Sequence, residues 1–375
     1  MSSLAEEIER LPADVQERLA RYGFDRARLV RLGERLASGH DDSGLVTGLI
    51  EAPRAGDVAD LPPAGSSERA RLVELGSRAL AEGSVALVVL AGGMATRMGG
   101  VVKALVEALP GKTFLDIRLA EIDSLARRFG KAPPFWLMTS DATDAGIKAA
   151  LGPRLDGASI ATFVQQLSLR LRPDGSLFLD AAGRPSEHAP GHGDLPDALR
   201  ASGLLEPFLE RGGKTLLLTN LDNLGGTLDP AVIGFHLDHG LSVTCEAVDK
   251  LADDRGGIPV RVDGKLRVLE EFRIPKSFDP AIVRVFNTNA FHVNARDLYE
   301  LSMDWRFFTV KKKVDGIEVV QFERILNEIT DTLPTRYLRS PREGGESRFL
   351  PVKDVPELER RRPEIELVAR SRGIL

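Results

Sequence analysis

The run Leu90-Ala-Gly-Gly-Met-Ala-Thr-Arg-Met-Gly-Gly100 places glycines, a hydroxyl and a guanidinium directly after an apolar stretch. Glycines at such a point let backbone N–H groups approach a ligand, and Thr96 and Arg97 add donors suited to phosphate oxygens. Lys103 follows within reach of the same loop. The spacing is neither that of a P-loop nor G-x-G-x-x-G, and by itself an ordinary glycine-rich turn explains it about as well. A second cluster, Thr219-Asn-Leu-Asp-Asn-Leu224, closes another apolar run. A carboxylate such as Asp222, at a strand end beside a phosphate site, can hold a hard Mg²⁺ ion together with substrate oxygens; helix capping is the alternative. Phe286-Asn-Thr-Asn-Ala290 sets three polar side chains in a row, suited to hydroxyl recognition or to a turn.

These clusters need strands to carry them. Residues 85–90, 135–139, 215–218 and 242–248 are short apolar runs of the kind buried on both faces of a sheet, and 118–129 is an amphipathic helix. The alternation predicts a mainly parallel sheet with helices on both faces. Pro-Asp-Gly at 173–175 and Asp-Gly at 263–264 predict hairpins over 167–179 and 260–269. Upstream, residues 1–39 show helical spacing with a break at Gly23. Residues 39–67, rich in Gly, Pro, Ala and Asp, read as connection, and a helix starts at Ser67 and ends near Gly83.

The chain has 375 residues, 43% hydrophobic and 28% charged, with a net charge of −5. That length suggests about two domains, or one large α/β domain with additions. With no basic excess, nucleic acid is a poor partner. Cys245 stands alone in a strand-like run, so it reads as a buried filler rather than a nucleophile or part of a thiolate cluster. The acidic N-terminus is unlike a signal peptide, and no apolar run has the length to span a bilayer. These features point to the cytoplasm, with no membrane partner.

Taken in order, the motifs resemble those of the UDP-sugar pyrophosphorylases, the family of UDP-glucose pyrophosphorylase and its N-acetylglucosamine relatives. Gly92, Gly93, Thr96, Arg97 and Lys103 match that family's nucleotide loop. Ala95 and Val102 replace its usual Gly and Pro, and a Cβ at 95 requires a negative φ. The resemblance implies that Leu90, Ala91, Gly92, Gly93 and Thr96 bind nucleotide. Gln165, in Thr-Phe-Val-Gln-Gln, is similar to the glutamine whose amide reads a pyrimidine edge, with Gln166 the competing choice. Ala189-Pro-Gly-His-Gly-Asp194 implies Gly191 packed on the nucleotide and His192 as a donor to a phosphate. Asp222 takes the metal role and Asn220 a sugar or phosphate contact. Gly257, Asn287, Thr288 and Asn289 resemble the sugar site. Ser347-Arg-Phe-Leu-Pro-Val-Lys353 implies Lys353 as a compact charge for the reacting phosphates. Lys311-Lys-Lys313 with Asp315 also resembles the family but reads as a charged hairpin end rather than part of the site.

The resemblance spans residues 83–353 and implies a Rossmann-like mixed sheet of the nucleotide-diphospho-sugar transferase type. The expected organisation is a helical N-terminal segment and linker over 1–66, a catalytic domain over 67–354, and a tail over 355–375 too short for the family's C-terminal β-helix. The implied reaction joins UTP to a sugar 1-phosphate, releasing pyrophosphate, with Mg²⁺ as cofactor. Arg97 and Lys103 would hold the departing phosphates. No general base is needed, because a sugar 1-phosphate is already anionic. Gly191-His-Gly-Asp194 favours glucose 1-phosphate over an N-acetylhexosamine 1-phosphate. A non-catalytic UDP-sugar-binding protein and a glycosyltransferase remain as alternatives, although Asn220-Leu-Asp222 is only half of an Asp-x-Asp motif. The expected assembly is a monomer or small homo-oligomer.

Overall fold

The computed structural model describes residues 3–39, 44–95 and 98–375. Eight strands form its central sheet: β1 (Val58–Asp60), β2 (Val85–Leu90), β3 (Phe135–Thr139), β4 (Ile160–Val164), β5 (Thr215–Asn220), β6 (Val243–Asp249), β7 (Val285–Asn294) and β8 (Thr335–Arg339). They lie in the order β1-β8-β6-β7-β5-β2-β3-β4. Every neighbouring pair is parallel except the two made by β7, which runs against β5 and β6. The sheet is therefore mixed, as the resemblance implies, and mainly parallel, as the alternation predicts.

β2 shows why the pattern was readable. Val85, Leu87 and Val89 enter one core while Ala86 and Val88 enter the other, so the strand must be apolar at every position. The first core is shared with helices α4 (Ser67–Glu82), α5 (Phe114–Phe129), α6 (Asp141–Leu151), α7 (Pro230–His239) and α8 (Val355–Ser371). The second lies on the opposite face, under Trp136, Phe208 and Phe291. A third core joins the N-terminal helices α1 (Leu4–Glu9), α2 (Ala13–Arg21) and α3 (Arg26–Ala37) to residues 167–177 and 320–322.

Several elements differ from expectation. The N-terminal helical pattern is interrupted at Leu11–Pro12 as well as at Gly23, giving three helices. The stretch 39–67 carries β1 and a two-residue strand, Ile50–Glu51, both too short to show periodicity. α5 starts at Phe114 rather than 118, because Thr113 and Asp116 form a capping box. Residues 257–270 form the expected hairpin, turning at Asp263-Gly264. Residues 167–179 form only a bridge between Leu171 and Leu177, because Ser168–Leu169 pairs instead with Glu187–His188. The tail forms α8, whose Leu358, Ile365 and Val368 are buried in the first core. Cys245 is wholly buried and gives its thiol to Asn287 Oδ1 at 3.4 Å, and burial pushes the thiol pKa well up. The 311–313 lysines lie in the strand Phe308–Val314, where Lys311 pairs with Glu318 across the hairpin.

Candidate active site

In the sheet, β3 and β4 lie to one side of β2, while β5 lies to the other. Loops leaving the carboxyl ends of β2 and β5 thus diverge and open a crevice, the place where ligands bind in such sheets. A cleft of about 310 Å³ occupies it, lined by Leu90, Ala91, Gly92, Gly93, Lys103, Gln165, Gly191, His192, Asn220 and Asp222, with Met138 and Glu323 among the rest. Ten of the expected site residues therefore come together. Thr96 and Arg97 lie outside the described residues.

The glycine loop is fixed by its carbonyls and leaves amides free. Ser140 Oγ donates to Gly92 O at 2.9 Å, and Thr143 Oγ1 donates to Ala91 O at 3.1 Å. Among the described residues nothing accepts from the Gly92 or Gly93 N–H. A Cβ on Gly92 would stand 2.6 Å from Gln165 Oε1 and 3.3 Å from Ser140 N, so the close approach requires glycine. Ala95 has no positive φ and pairs as a strand residue with Val101. Its Cβ is therefore compatible with the loop. Met94 pairs with Val102, and this small hairpin returns the chain so that Lys103 faces the crevice.

Opposite the glycine loop, Gln165 is 7% exposed and donates Nε2 to Gly191 O at 3.1 Å. Gln166 points elsewhere: its side-chain Oε1 accepts from Arg28 at 3.4 Å, while its backbone N–H donates to Asp194 Oδ2. Gln165 is therefore the glutamine at the crevice. Gly191 has φ 87°, and a Cβ there would meet Arg324 O at 2.5 Å. His192 Nδ1 accepts the Leu326 N–H at 3.0 Å, which leaves the proton on Nε2. Burial lowers the His192 pKa to about 4, so it is a neutral donor at neutral pH.

On the β5 side, Asp222 Oδ2 accepts from Lys103 Nζ at 2.6 Å, with both side chains mostly buried. Among the described residues no group of three or more His, Cys, Asp or Glu gathers as a cation cage. One carboxylate in an open crevice fits Mg²⁺, which is commonly held by one or two carboxylates plus substrate phosphates. Asn220 Oδ1 accepts from Asn289 Nδ2 at 3.0 Å, linking the crevice to the adjacent polar cluster on β7. Asn287 is 5% exposed and abuts Gly257 in that cluster.

Two expected residues are placed differently. Thr288 is 1% exposed and donates its hydroxyl to Glu246 O at 2.9 Å, so it faces the core rather than a sugar. Successive residues of a strand point to opposite faces, and its neighbours Asn287 and Asn289 take the cluster side. Lys353 does not line the crevice: its amide donates to Glu357 Oε2, and its side chain is exposed without a partner among the described residues.

Other polar residues of the motifs hold the loops. Arg118, wholly buried, donates to the carbonyls of Asn220, Asn223 and Gly226, gripping the Asp222 loop. Asn223 donates Nδ2 to Arg348 O and accepts the Leu350 N–H through Oδ1. Arg348 makes two hydrogen bonds to Glu246 on β6, at 2.8 and 2.6 Å. Two further carboxylates border the site. Glu323 lines the crevice, and Glu270 stands against Gly257 with its pKa raised by burial despite the Asn327 hydrogen bond. Both close strands, and strand-end position is the signal that could have found them.

Burial also holds His188 at a pKa of about 4. The unfolded chain therefore takes up protons below about pH 6.5 that the folded chain refuses at His188 and His192. Their contribution to stability is complete above pH 6.5 and declines as pH falls toward 4, by about 2 kcal/mol per histidine at pH 5. Urea unfolding should show a lower midpoint at pH 5 than at pH 7. Equal midpoints would contradict these histidines being neutral.

The sheet and its switch-point crevice define a Rossmann-like protein of the nucleotide-diphospho-sugar transferase type. The family model of UTP–glucose-1-phosphate uridylyltransferase matches residues 57–360. The chain belongs to that family. It is 31% identical over 288 residues to the UTP–glucose-1-phosphate uridylyltransferase of Hordeum vulgare, covering 72% of this chain and 59% of that protein. A probable UTP–glucose-1-phosphate uridylyltransferase of Schizosaccharomyces pombe is 35% identical over 219 residues, covering 55% and 43% respectively. The chain thus spans about half the length of these relatives. Among solved structures, UDP-glucose pyrophosphorylase from Leishmania major in complex with UDP-glucose superposes with a TM-score of 0.71 at 22% identity, covering 96% of this chain and 78% of that one. The uridine diphosphate N-acetylglucosamine pyrophosphorylase of Trypanosoma brucei gives 0.70 at 20% identity, covering 96% and 84%. At these identities the structures speak for the fold. No helix among the described residues is long and apolar enough to cross a membrane.

Proposed function

We propose that the chain joins UTP to a sugar 1-phosphate, with glucose 1-phosphate favoured, forming a UDP-sugar and pyrophosphate. The observation that carries this reading is the crevice itself. Free glycine amides and a buried glutamine line one side, and the Lys103–Asp222 pair lines the other. A phosphate oxygen of the sugar 1-phosphate forms a bond to the α-phosphorus of UTP while the bond from that phosphorus to the bridging oxygen of the departing pyrophosphate breaks. Such chemistry asks the protein for position and charge rather than a covalent step. Mg²⁺ held by Asp222 would supply neutralisation of the phosphate charge. Gln165 reads the uracil edge, Leu90, Ala91 and the Gly92 and Gly93 amides cradle the nucleotide with Thr96, and Gly191 packs on it. His192 donates Nε2–H to a phosphate, and Lys103 with Arg97 holds the leaving pyrophosphate. Asn220, Gly257, Asn287 and Asn289 face the sugar. The resemblance assigns Lys353 a charge for the reacting phosphates, although its exposed side chain stands outside the crevice. We place this reaction in the cytoplasm, a reducing compartment compatible with the lone buried Cys245.

Pyrophosphate release from UTP and Mg²⁺ with a panel of sugar 1-phosphates tests the reading and names the sugar. Tight UTP binding with no release from any sugar would leave a binding protein instead. Gly92→Ala is expected to raise the KM for UTP about tenfold, the cost of a displaced Gln165 being about 1.4 kcal/mol; an unchanged KM would remove Gln165 from the base site. Lys353→Ala should lower turnover by about tenfold, less than deleting a preorganised donor would, because its ammonium stands free among the described residues, outside the crevice. Near-normal turnover would exclude Lys353 from the reaction.

A further inference from the structure

A second and larger cleft, of about 1260 Å³, lies between α3 and residues 299–308 and among the described residues shares none of its lining with the nucleotide crevice. Among the described residues its walls carry seven arginines and no lysine, against five carboxylates. Those carboxylates are mostly occupied. Asp25 pairs with Arg28, and Asp197 accepts from Arg200 and Arg324. Asp263 accepts the Leu49 amide, and Glu300 lies 3.8 Å from Arg296, leaving Asp304. On the cationic side, Arg28, Arg200 and Arg324 are spent in these pairs. The exposed guanidinium groups of Arg31 and Arg306 make no hydrogen bond or ion pair among the described residues, Arg306 acting only electrostatically, on Glu328. Arg267 pairs with Asp331 at 3.2 Å and keeps a buried Nε–H without an acceptor among the described residues. Arg28, Arg31 and Arg35 recur on one face of α3, so the charges project from that wall toward Arg306 on the other.

We infer that this cleft is a binding site for a polyphosphorylated small molecule, distinct from the nucleotide crevice. Guanidinium groups set on opposing walls match several phosphates at once, each able to take two N–H bonds, a geometry that lysine does not offer. Half-buried Trp305 and Phe307 stand beside them and give a flat apolar surface. Phe307 already lies 5.0 Å from the Arg28 guanidinium and 5.7 Å from that of Arg324. Arg324 also ties the cleft to the nucleotide loop: its carbonyl accepts the Gly193 N–H at 3.0 Å, its amide donates to Pro190 O at 2.8 Å, and its guanidinium pairs with Asp194. An occupant of the cleft thus sits one residue from the Gly191-His192 segment.

The chain carries its own reporter. Of its two tryptophans, Trp136 is wholly buried with its N–H bonded to Ala158 O, whereas Trp305 lines the cleft. Intrinsic fluorescence of the full chain would be titrated with inorganic tripolyphosphate and, separately, with ATP, on the wild type and on Arg31→Ala/Arg306→Ala. The expected result is a saturable change in emission whose half-point moves to at least about tenfold higher concentration in the double variant. Tighter binding of ATP than of tripolyphosphate would assign the natural occupant to nucleotides, and equal binding to bare polyphosphates. Both altered residues are exposed, and unchanged thermal unfolding would show the double variant folded. No emission change with either probe, or the same half-point in the double variant, would overturn the site.

Discussion

Asp222→Asn is expected to cut pyrophosphate release from UTP about 10³-fold while leaving the fold intact. The substitution keeps the size of the side chain and removes its charge. Asp222 is the carboxylate at the β5 end of the crevice, so the charge lost is the one proposed to hold Mg²⁺ against the substrate phosphates. It is also the partner of Lys103 Nζ at 2.6 Å. A ligand that takes Asp222 for its metal must release that lysine, and the freed ammonium then faces the phosphates. The two consequences separate in the assay. Loss of the metal site raises the Mg²⁺ concentration needed for half-maximal activity, whereas Lys103→Ala should raise the KM for UTP with little change in Mg²⁺ dependence. Turnover of the Asn variant within tenfold of the wild type, at the same Mg²⁺ requirement, would refute the metal role.

The second large effect is on stability. Arg348→Met should destabilise the chain by about 3–5 kcal/mol at pH 7, because it strands Glu246 as an uncompensated buried charge. Burial alone would raise the Glu246 carboxyl, but the adjacent Arg348 charge, its hydrogen bonds and that of His292 outweigh this and hold it at about 2. A folded pKa below the unfolded value means that the contribution is complete above about pH 4.5 and is lost as pH falls toward 2, amounting to about 3 kcal/mol. The gap between wild type and variant should therefore narrow on acidification through that window. Urea unfolding at pH 7 and at pH 3 measures both. A cost below 1 kcal/mol at pH 7 would show that the pair only balances its own desolvation. Because Arg348 O and the Leu350 amide are tied to Asn223, the same variant should loosen the Asp222 loop and lower activity even where it stays folded.

The buried ion pair shows how far motif reading reaches. Arg348 stands in the same short motif as Lys353, and Asn223 beside Asp222, so sequence spacing groups each anchor with its neighbour. Only the partner distinguishes them. Arg348 meets a glutamate 102 positions earlier, and Asn223 meets a backbone 125 positions later. Gln165 and Gln166 were likewise inseparable by sequence, yet one lines the crevice and the other turns to α3, because adjacent residues at a strand end point in opposite directions. The same alternation removes Thr288 from the sugar side.

What the amino-acid sequence determined by itself was the framework. Doubly buried strands must be apolar throughout, so β2, β3 and β5 announce themselves, and the glycine loop, the glutamine pair, the Gly-His-Gly frame and the Asn-x-Asp-Asn cluster fall at or near strand ends. Local composition carries that information because burial acts on each residue where it stands. The tertiary structure alone decided which polar residues face the crevice, that Lys103 is held by a carboxylate 119 positions away, and that an arginine-lined cleft lies beside the N-terminal helices. Those outcomes depend on strand order and on contacts between distant segments, and a sequence read residue by residue contains neither.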